Sequence, residues 1–128
     1  MSATQGRLIL AIVDTGLRSI LAAQLGMAGH MPISTVDHLD PTLSEHIRAT
    51  ALLIIEEALI APPVVDWAET LRNQCWMGQI IVIVNAKDDQ IQQDDKVMLV
   101  DRRDAGAAVL TLVHAWQSQA TVAISRLE

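Results

Sequence analysis

The sequence predicts an α/β domain built on a small, doubly wound, parallel sheet of five strands. Three short aliphatic runs, "RLILAIV", "ALLII" and "QIIVIV", are typical of strands that helices cover on both faces. Segments with helical spacing separate them, as right-handed crossovers between parallel strands require. The 128 residues suffice for one hydrophobic core. We therefore expect a single domain over residues 1–128, with its core at about 6–118.

The first half of the chain predicts two strand–helix pairs. Residues 7–16, "RLILAIVDTG", form a buried strand, and residues 17–30 form an amphipathic helix with Gly26 or Gly29 near its end. Residues 31–40 alternate loosely and predict a shorter, more exposed strand. Asp40 before Pro41 predicts the start of a short helix, since an acceptor side chain at the cap and a proline in the first turn favour helix initiation.

The second half predicts three more strands. "TALLIIEE", residues 50–57, is followed by a helix with apolar helical spacing over residues 62–76, and "QIIVIVNA" is the next strand. The connection at residues 85–95 is too polar and too short for a normal helix, so helix four is predicted to be shortened or absent. "KVMLVD" is the fifth strand. A long last helix, capped by Asp104, is predicted to extend to residue 127.

Composition excludes several classes of function. The net charge is −6, and the nine lysines and arginines form no positive stripe, which argues against direct DNA binding. A single cysteine, Cys75, excludes an internal disulfide and a cysteine-rich zinc site and fits a reducing compartment. The apolar runs are far shorter than the ~20 residues that span a bilayer. We expect a cytoplasmic protein that does not associate with membranes.

Candidate functional residues follow the strands, because ligand sites in such sheets lie at the carboxyl ends of the strands. They are Asp14, Thr15, Glu56, Glu57, Asn85, Asp101 and Arg102. Asp14, Glu56 and Asp101 could together bind a divalent metal, since hard cations prefer carboxylate oxygens, or they could be solvated acids at strand ends. If these acids and Glu57 converge, we expect repulsion to raise the pKa of one or to turn it into solvent.

The same stretches resemble the receiver domains of bacterial two-component response regulators. The resemblance covers nearly the whole chain and is carried by "ILAIVDTGLRSILAAQL", "ATALLIIEE", "IIVIVNAKD" and "VMLVD" together with the order of elements. It implies a flavodoxin-like sheet of order 2-1-3-4-5. Receivers place a pair of acids after strand one that hold Mg²⁺, a phosphoacceptor Asp at the end of strand three, a Thr or Ser after strand four and a Lys after strand five.

Four of those five positions depart from the receiver pattern. Asp14 matches one acid of the pair, but Thr15 stands at a position where the family has an acid. Glu56 stands at the phosphoacceptor position. Asn85 stands where receivers have the Thr or Ser, and Asp101 stands where they have the Lys. Glu56 could mimic the phosphorylated state constitutively or be a neutral relic. The resemblance thus implies a degenerate receiver, a pseudo-receiver.

The leading hypothesis is a phosphorylation-independent signalling module that is not an enzyme and binds a protein partner or output domain. We expect no cofactor, because Asp14 is the one acid that matches the pair of Mg²⁺ ligands. We also expect no small-molecule substrate. The alternative is an atypical phosphoacceptor that uses Glu57 or Asp14. A small flavodoxin-like enzyme is a third hypothesis, but the chain lacks a glycine-rich phosphate loop after strand one.

The last helix is predicted to supply the partner face. Shortening helix four would expose the fifth strand and an apolar stripe, and we expect homodimerisation there. The stripe consists of Val109, Leu112, Val113 and Trp116. The tryptophans at 67, 76 and 116 could fill the core or mark the partner surface, and the four histidines lack metal-ligand spacing. Cys75 is expected to be a buried, small hydrophobic residue.

Overall fold

The computed structural model describes residues 7–60, 67–85 and 96–126 as an α/β domain. Its strands are β1 (Leu8–Ala11), β2 (Ile33–Thr35), β3 (Leu52–Glu56), β4 (Ile80–Val84) and β5 (Val97–Asp101). The helices in these ranges are α1 (Thr15–Met27), α2 (Glu45–Thr50), α3 (Trp67–Asn73) and α4 (Ala105–Arg126). Two short 3-10 turns, Glu57–Leu59 and Arg102–Asp104, follow β3 and β5.

The five strands are all parallel and lie in the order β2-β1-β3-β4-β5. This confirms the predicted fold class and its strand order. Strand order reverses at β1, so the carboxyl ends of β1 and β3 flank the switch point where ligands bind in open α/β sheets. The prediction that helix four is short or absent falls on residues 86–95, outside the described residues. Residues 62–66, the start of the predicted third helix, also lie outside them.

Each face of the sheet has its own hydrophobic core. Strand residues alternate between faces, so that Leu53 and Ile55 pack on one side of β3 while Leu52 and Ile54 pack on the other. The first core includes Trp76, and the second is covered by α1 and α4. Burial of each large aliphatic side chain contributes about 2 kcal/mol, which explains why continuous aliphatic runs specify strands covered on both faces.

Two helix boundaries follow from local hydrogen bonds. The Asp14 carboxylate accepts from the Leu17 backbone N–H and starts α1, whose C-terminal turn leads into Gly29 at φ +93°. The predicted start of the second helix at Asp40 is wrong. Ser44 caps α2 at Glu45 by accepting from the Ile47 N–H. The Asp40 side chain instead accepts from Thr42 and closes a turn ahead of the helix.

The last helix begins after the turn at Arg102–Asp104 and is 22 residues long. Asp101 caps this turn, because its carboxylate accepts from the Arg103 backbone N–H. Asp104, the predicted cap of the last helix, directly precedes its first residue, Ala105. The helix packs along α1 and the sheet. Gly106 lies so close to α1 that a Cβ there would meet the side chain of Gln24.

The predicted exposure of Val109 and Val113 and the predicted burial of Cys75 need correction. Val109 and Val113 have no exposed surface, because they point into the core that α4 forms with the sheet, so they cannot line a partner face. Leu112 and Trp116 are half-buried. Trp76 fills the opposite core, and the Trp67 side chain lies outside the described residues. Cys75 is half-exposed rather than buried, at a left-handed φ of 75° that ends α3.

None of the helices described for residues 7–60, 67–85 and 96–126 is long and apolar enough to span a membrane.

Candidate functional site at the carboxyl ends of the strands

Three charged side chains meet where β1, β3 and β5 end. Asp14 follows β1 and caps α1, Glu56 is the last residue of β3, and Arg102 follows β5. Their positions in the chain differ by 42 to 88 residues, and the parallel sheet brings them to one edge. We refer to Asp14, Glu56 and Arg102 as the charged triad.

Glu56 is buried, with 5% of its surface exposed, yet both of its carboxylate oxygens have partners. Oε1 accepts from the backbone N–H groups of Val13, at 2.5 Å, and Asp14, at 3.0 Å. Oε2 accepts from Nη1 of Arg102 at 2.9 Å. A buried carboxylate is tolerated when hydrogen bonds and a counter-charge replace its water. Glu56 therefore fastens the loop after β1 to the end of β3.

Arg102 bridges the two acids of the charged triad. Its Nη2 donates to Oδ2 of Asp14, while Nη1 donates to Glu56. The hydrogen bond to Glu56, and then that to Asp14, raise the pKa of the Arg102 guanidinium. The pKa of Asp14 is lowered, first by the Leu17 backbone N–H at the start of α1 and further by Arg102. The ionised form of Asp14 is thus favoured beside a guanidinium that stays charged.

The remaining predicted site residues have other contacts or are exposed. The Asp101 carboxylate pairs with Arg103 at 3.0 Å, and Glu57 accepts from the Asn85 backbone N–H at 2.8 Å. Thr15 is the exposed first residue of α1. Arg102, the cation expected near these acids, lies between Asp14 and Glu56, and Asp101 and Glu57 have separate partners, so the repulsion expected of unpaired acids is offset.

The magnesium site of the receiver family does not fit these residues. Thr15 offers no carboxylate, and Arg102 occupies an oxygen of both Asp14 and Glu56. A cation at the same oxygens would have to displace the guanidinium and would feel its repulsion. Within residues 7–60, 67–85 and 96–126, no three His, Cys, Asp or Glu side chains form a group that could hold a metal ion.

Arg102 is the site residue whose role the sequence did not predict. The position expected for the cation is Asp101, one residue earlier. Because the chain enters a 3-10 turn directly after β5, the Asp101 carboxylate caps that turn and pairs with Arg103, while Arg102 reaches Glu56 and Asp14. The adjacent arginine in "VDRRD" was the available signal, but only the turn geometry decides which of these side chains reaches Glu56.

Comparison with known proteins adds no family assignment. The chain matches no protein-family model, and no curated protein shows significant similarity to it. The five parallel strands in the order 2-1-3-4-5 with intervening helices are consistent with a flavodoxin-like or receiver-like fold. That topology hosts many unrelated functions, so function must be argued from the side chains.

A second feature near this end is a groove between β5 and α4, which we call the β5–α4 groove. It encloses about 580 Å³, and its lining is mainly apolar. β5 is an edge strand of the five-stranded sheet, and Met98 on it is 40% exposed. The groove is lined by Met98, Leu99, Val100, Asp101, Asp104, Ala107, Ala108, Thr111 and Leu112. Of the predicted partner-face residues, Leu112 is the one that lines it.

Proposed function

We propose that this chain is a phosphorylation-independent signalling module of the pseudo-receiver type, which acts by binding a second copy of itself or another protein. The observation that carries the proposal is the charged triad. At the position that corresponds to the receiver phosphoacceptor, Glu56 is already held by two backbone N–H groups and a guanidinium. Those are the kinds of group that would otherwise stabilise a phosphoryl group.

The electrostatics of the charged triad argue against phosphoryl transfer. Phosphoryl transfer needs cations to offset charge on the phosphoryl oxygens. Arg102 is shared by Asp14 and Glu56, so two carboxylates face one guanidinium. An incoming phosphoryl donor would meet net negative charge without a free cation from these three residues. The arrangement instead supports a site held in one state by its own side chains.

The β5–α4 groove supports an interaction role. Among the described strands β5 is at the edge of the sheet, and its exposed methionine beside a half-buried leucine of α4 presents apolar surface there. A second copy of the chain offers the same strand, and two-fold pairing is the commonest form of self-association. We therefore propose a homodimer through this groove.

The first experiment is incubation with Mg²⁺ and acetyl phosphate, followed by intact-mass measurement. We expect no phosphoryl adduct on the wild type. An adduct would contradict the proposal, and its loss in Glu57→Gln or Asp14→Asn would identify the atypical acceptor. Glu56→Asp is the matched variant: it shortens the carboxylate side chain by one methylene and restores the family residue, and we expect it to remain unmodified because Arg102 and Thr15 are unchanged.

The second experiment measures mass by light scattering across a range of protein concentrations. We expect dimers in the wild type and monomers in Met98→Glu and Leu112→Glu, which place charge in the β5–α4 groove. Ser19→Glu adds the same charge to an exposed position of α1 outside the groove and should leave the dimer intact. A wild type that is monomeric at high concentration, or a dimer that survives Met98→Glu, would contradict self-association through this groove.

A further inference from the structure

The two edges of the sheet differ in how well they are protected from pairing with another strand. β2 forms one edge with three residues directly after Pro32, and both its short length and the adjacent proline limit its use as a template. β5 is the other edge among the described strands, and its five residues include neither proline nor lysine. β5 is therefore the edge that is better suited to adding a strand.

The backbone of β5 directs hydrogen-bonding groups to this edge. The Lys96 C=O accepts from the Ile80 N–H of β4 at 2.8 Å. Successive residues of a strand direct their backbone groups to opposite sides, so Met98 also faces β4, in agreement with the register of the two strands. The N–H and C=O groups of Val97 and Leu99 consequently point away from β4, to the side on which no strand lies among the described residues.

The side chains of β5 alternate between two surroundings. Val97 and Leu99 pack in the core that contains Trp76, whereas Met98 lies at the β5–α4 groove and is 40% exposed. Met98 is thus an apolar side chain that the domain leaves partly uncovered. A strand that pairs with β5 would lie directly beside it.

We propose that β5 pairs with β5 of a second copy in antiparallel register about a two-fold axis at Met98, which joins the two five-stranded sheets edge to edge. Val97 of each copy then exchanges both backbone hydrogen bonds with Leu99 of the other, and the two Met98 side chains are direct neighbours. This inference rests on the proposed function, since it describes how the proposed homodimer is held together.

Symmetry favours a second copy as the occupant of this edge. In an antiparallel pair the two strands contribute equivalent hydrogen bonds, so one edge is complementary to itself, whereas the slanted bonds of a parallel pair make the two strands inequivalent. The charges agree with this direction. Exposed Lys96 precedes β5 and exposed Asp104 follows it on the wall of the groove, so antiparallel pairing directs the cation of each copy toward the acid of the other.

The first test places a proline at each edge of the sheet. Leu99→Pro removes an N–H that points to the open side of β5, and we expect light scattering to show monomers. Leu99→Ala shortens the same side chain but keeps the N–H, so it should remain dimeric. Ser34→Pro is the matched control on β2, because the Thr35 C=O faces β1 and the Ser34 N–H therefore faces outward. It should also remain dimeric, and circular dichroism shows whether each variant folds.

The second test uses the wild type, so it decides the question whether or not Leu99→Pro folds. Amide hydrogen exchange of the ¹⁵N-labelled full chain is measured by NMR at concentrations below and above the midpoint of dimerisation. We expect the N–H groups of Val97 and Leu99 to exchange roughly tenfold more slowly at the higher concentration, because pairing buries them in hydrogen bonds. The Ser34 N–H should exchange at the same rate at both concentrations.

The outcomes separate this inference from the proposed function. A dimer whose Leu99 N–H exchanges at the same rate at both concentrations would overturn strand pairing and leave a homodimer held by the side chains of the groove. A folded Leu99→Pro variant that stays dimeric would do the same. A wild type that is monomeric at every concentration would overturn the homodimer itself and this inference with it.

Discussion

Two buried polar side chains, Glu56 and His30, lie near opposite ends of the sheet and differ in how their hydrogen bonds are satisfied. At the carboxyl end, Glu56 is 5% exposed and both oxygens have partners within the chain. At the amino end, His30 is 7% exposed and its Nε2 has no partner among the described residues. Burial is nearly equal, and what differs is hydrogen-bond satisfaction. Nδ1 of His38 and Nε1 of Trp76 are also buried without a partner among the described residues, so the contrast concerns Glu56 and His30 themselves rather than whole ends of the sheet.

The largest expected effect comes from breaking the charged triad. Arg102→Met leaves Glu56 buried without its counter-charge, and removal of one partner of a buried ion pair costs about 3 kcal/mol. We expect a loss of that order in the free energy of unfolding measured with urea. Arg103→Met is the matched control, because Arg103 is largely exposed and a pair of this kind with Asp101 contributes up to about 1 kcal/mol.

A double variant sharpens this result. Adding Glu56→Leu to Arg102→Met removes the unpaired charge together with its partner, so much of the lost stability should return. If Arg102→Met were no more destabilising than Arg103→Met, the charged triad would not hold the strand ends together. The proposal of a phosphorylation-independent module would then lose the observation on which it rests.

The next effect is a difference in pH dependence between the two ends. Burial lowers the pKa of His30, so the unfolded chain binds more protons than the folded chain as pH falls below about 6.5. Stability should therefore decrease between about pH 7 and pH 5. The pKa of Asp14 is also lowered, and its contribution is present above about pH 4 and lost only at lower pH. The amino end should lose stability first.

Urea unfolding of the wild type and His30→Asn at several pH values tests this order. The variant should show a smaller slope between pH 7 and pH 5 and the same loss below pH 4. Burial also lowers the pKa of His38, so some slope will remain in the variant. Identical slopes would show that His30 does not titrate differently in the folded and unfolded chains.

The smallest effects concern two turns with positive φ. Gly29 has φ +93° and open space around its Cβ position, so Gly29→Ala should cost about 1 kcal/mol through backbone strain alone. Cys75 has φ 75° with a side chain, so Cys75→Gly should stabilise the protein by about 0.5 kcal/mol. Thermal unfolding would show opposite shifts, and shifts of the same sign would contradict the strain argument.

The strands were the most predictable part of the structure, because burial on both faces leaves a continuous aliphatic run in the sequence. β1, β3 and β4 all fall within such runs, and the whole strand order followed from the resemblance. The start of α2 was not predictable in the same way. Asp40 and Ser44 are both good caps, and Asp40 is instead used to close a turn four residues earlier.

Side-chain direction was the main source of error. The apolar stripe on the last helix was correctly recognised, but the sequence does not say whether a sheet or a partner covers it, and here the sheet covers Val109 and Val113. Side-chain direction also decides the charge at the site. Asp101 and Arg102 are adjacent in the chain, and the sequence alone does not say which of them contacts Glu56. Both outcomes depend on tertiary geometry rather than on local pattern.

The length of α4 has a mechanical consequence. Its 22 residues extend roughly 33 Å, about twice the roughly 17 Å of a five-residue strand. Val109 and Val113 anchor its first half in the core. A tilt of about 10° around Val113 would displace Arg126 by roughly 3 Å, since about 20 Å of helix separates them. A small change in the packing beneath the first half of α4 would therefore displace the backbone at its carboxyl end further than the backbone near Val113.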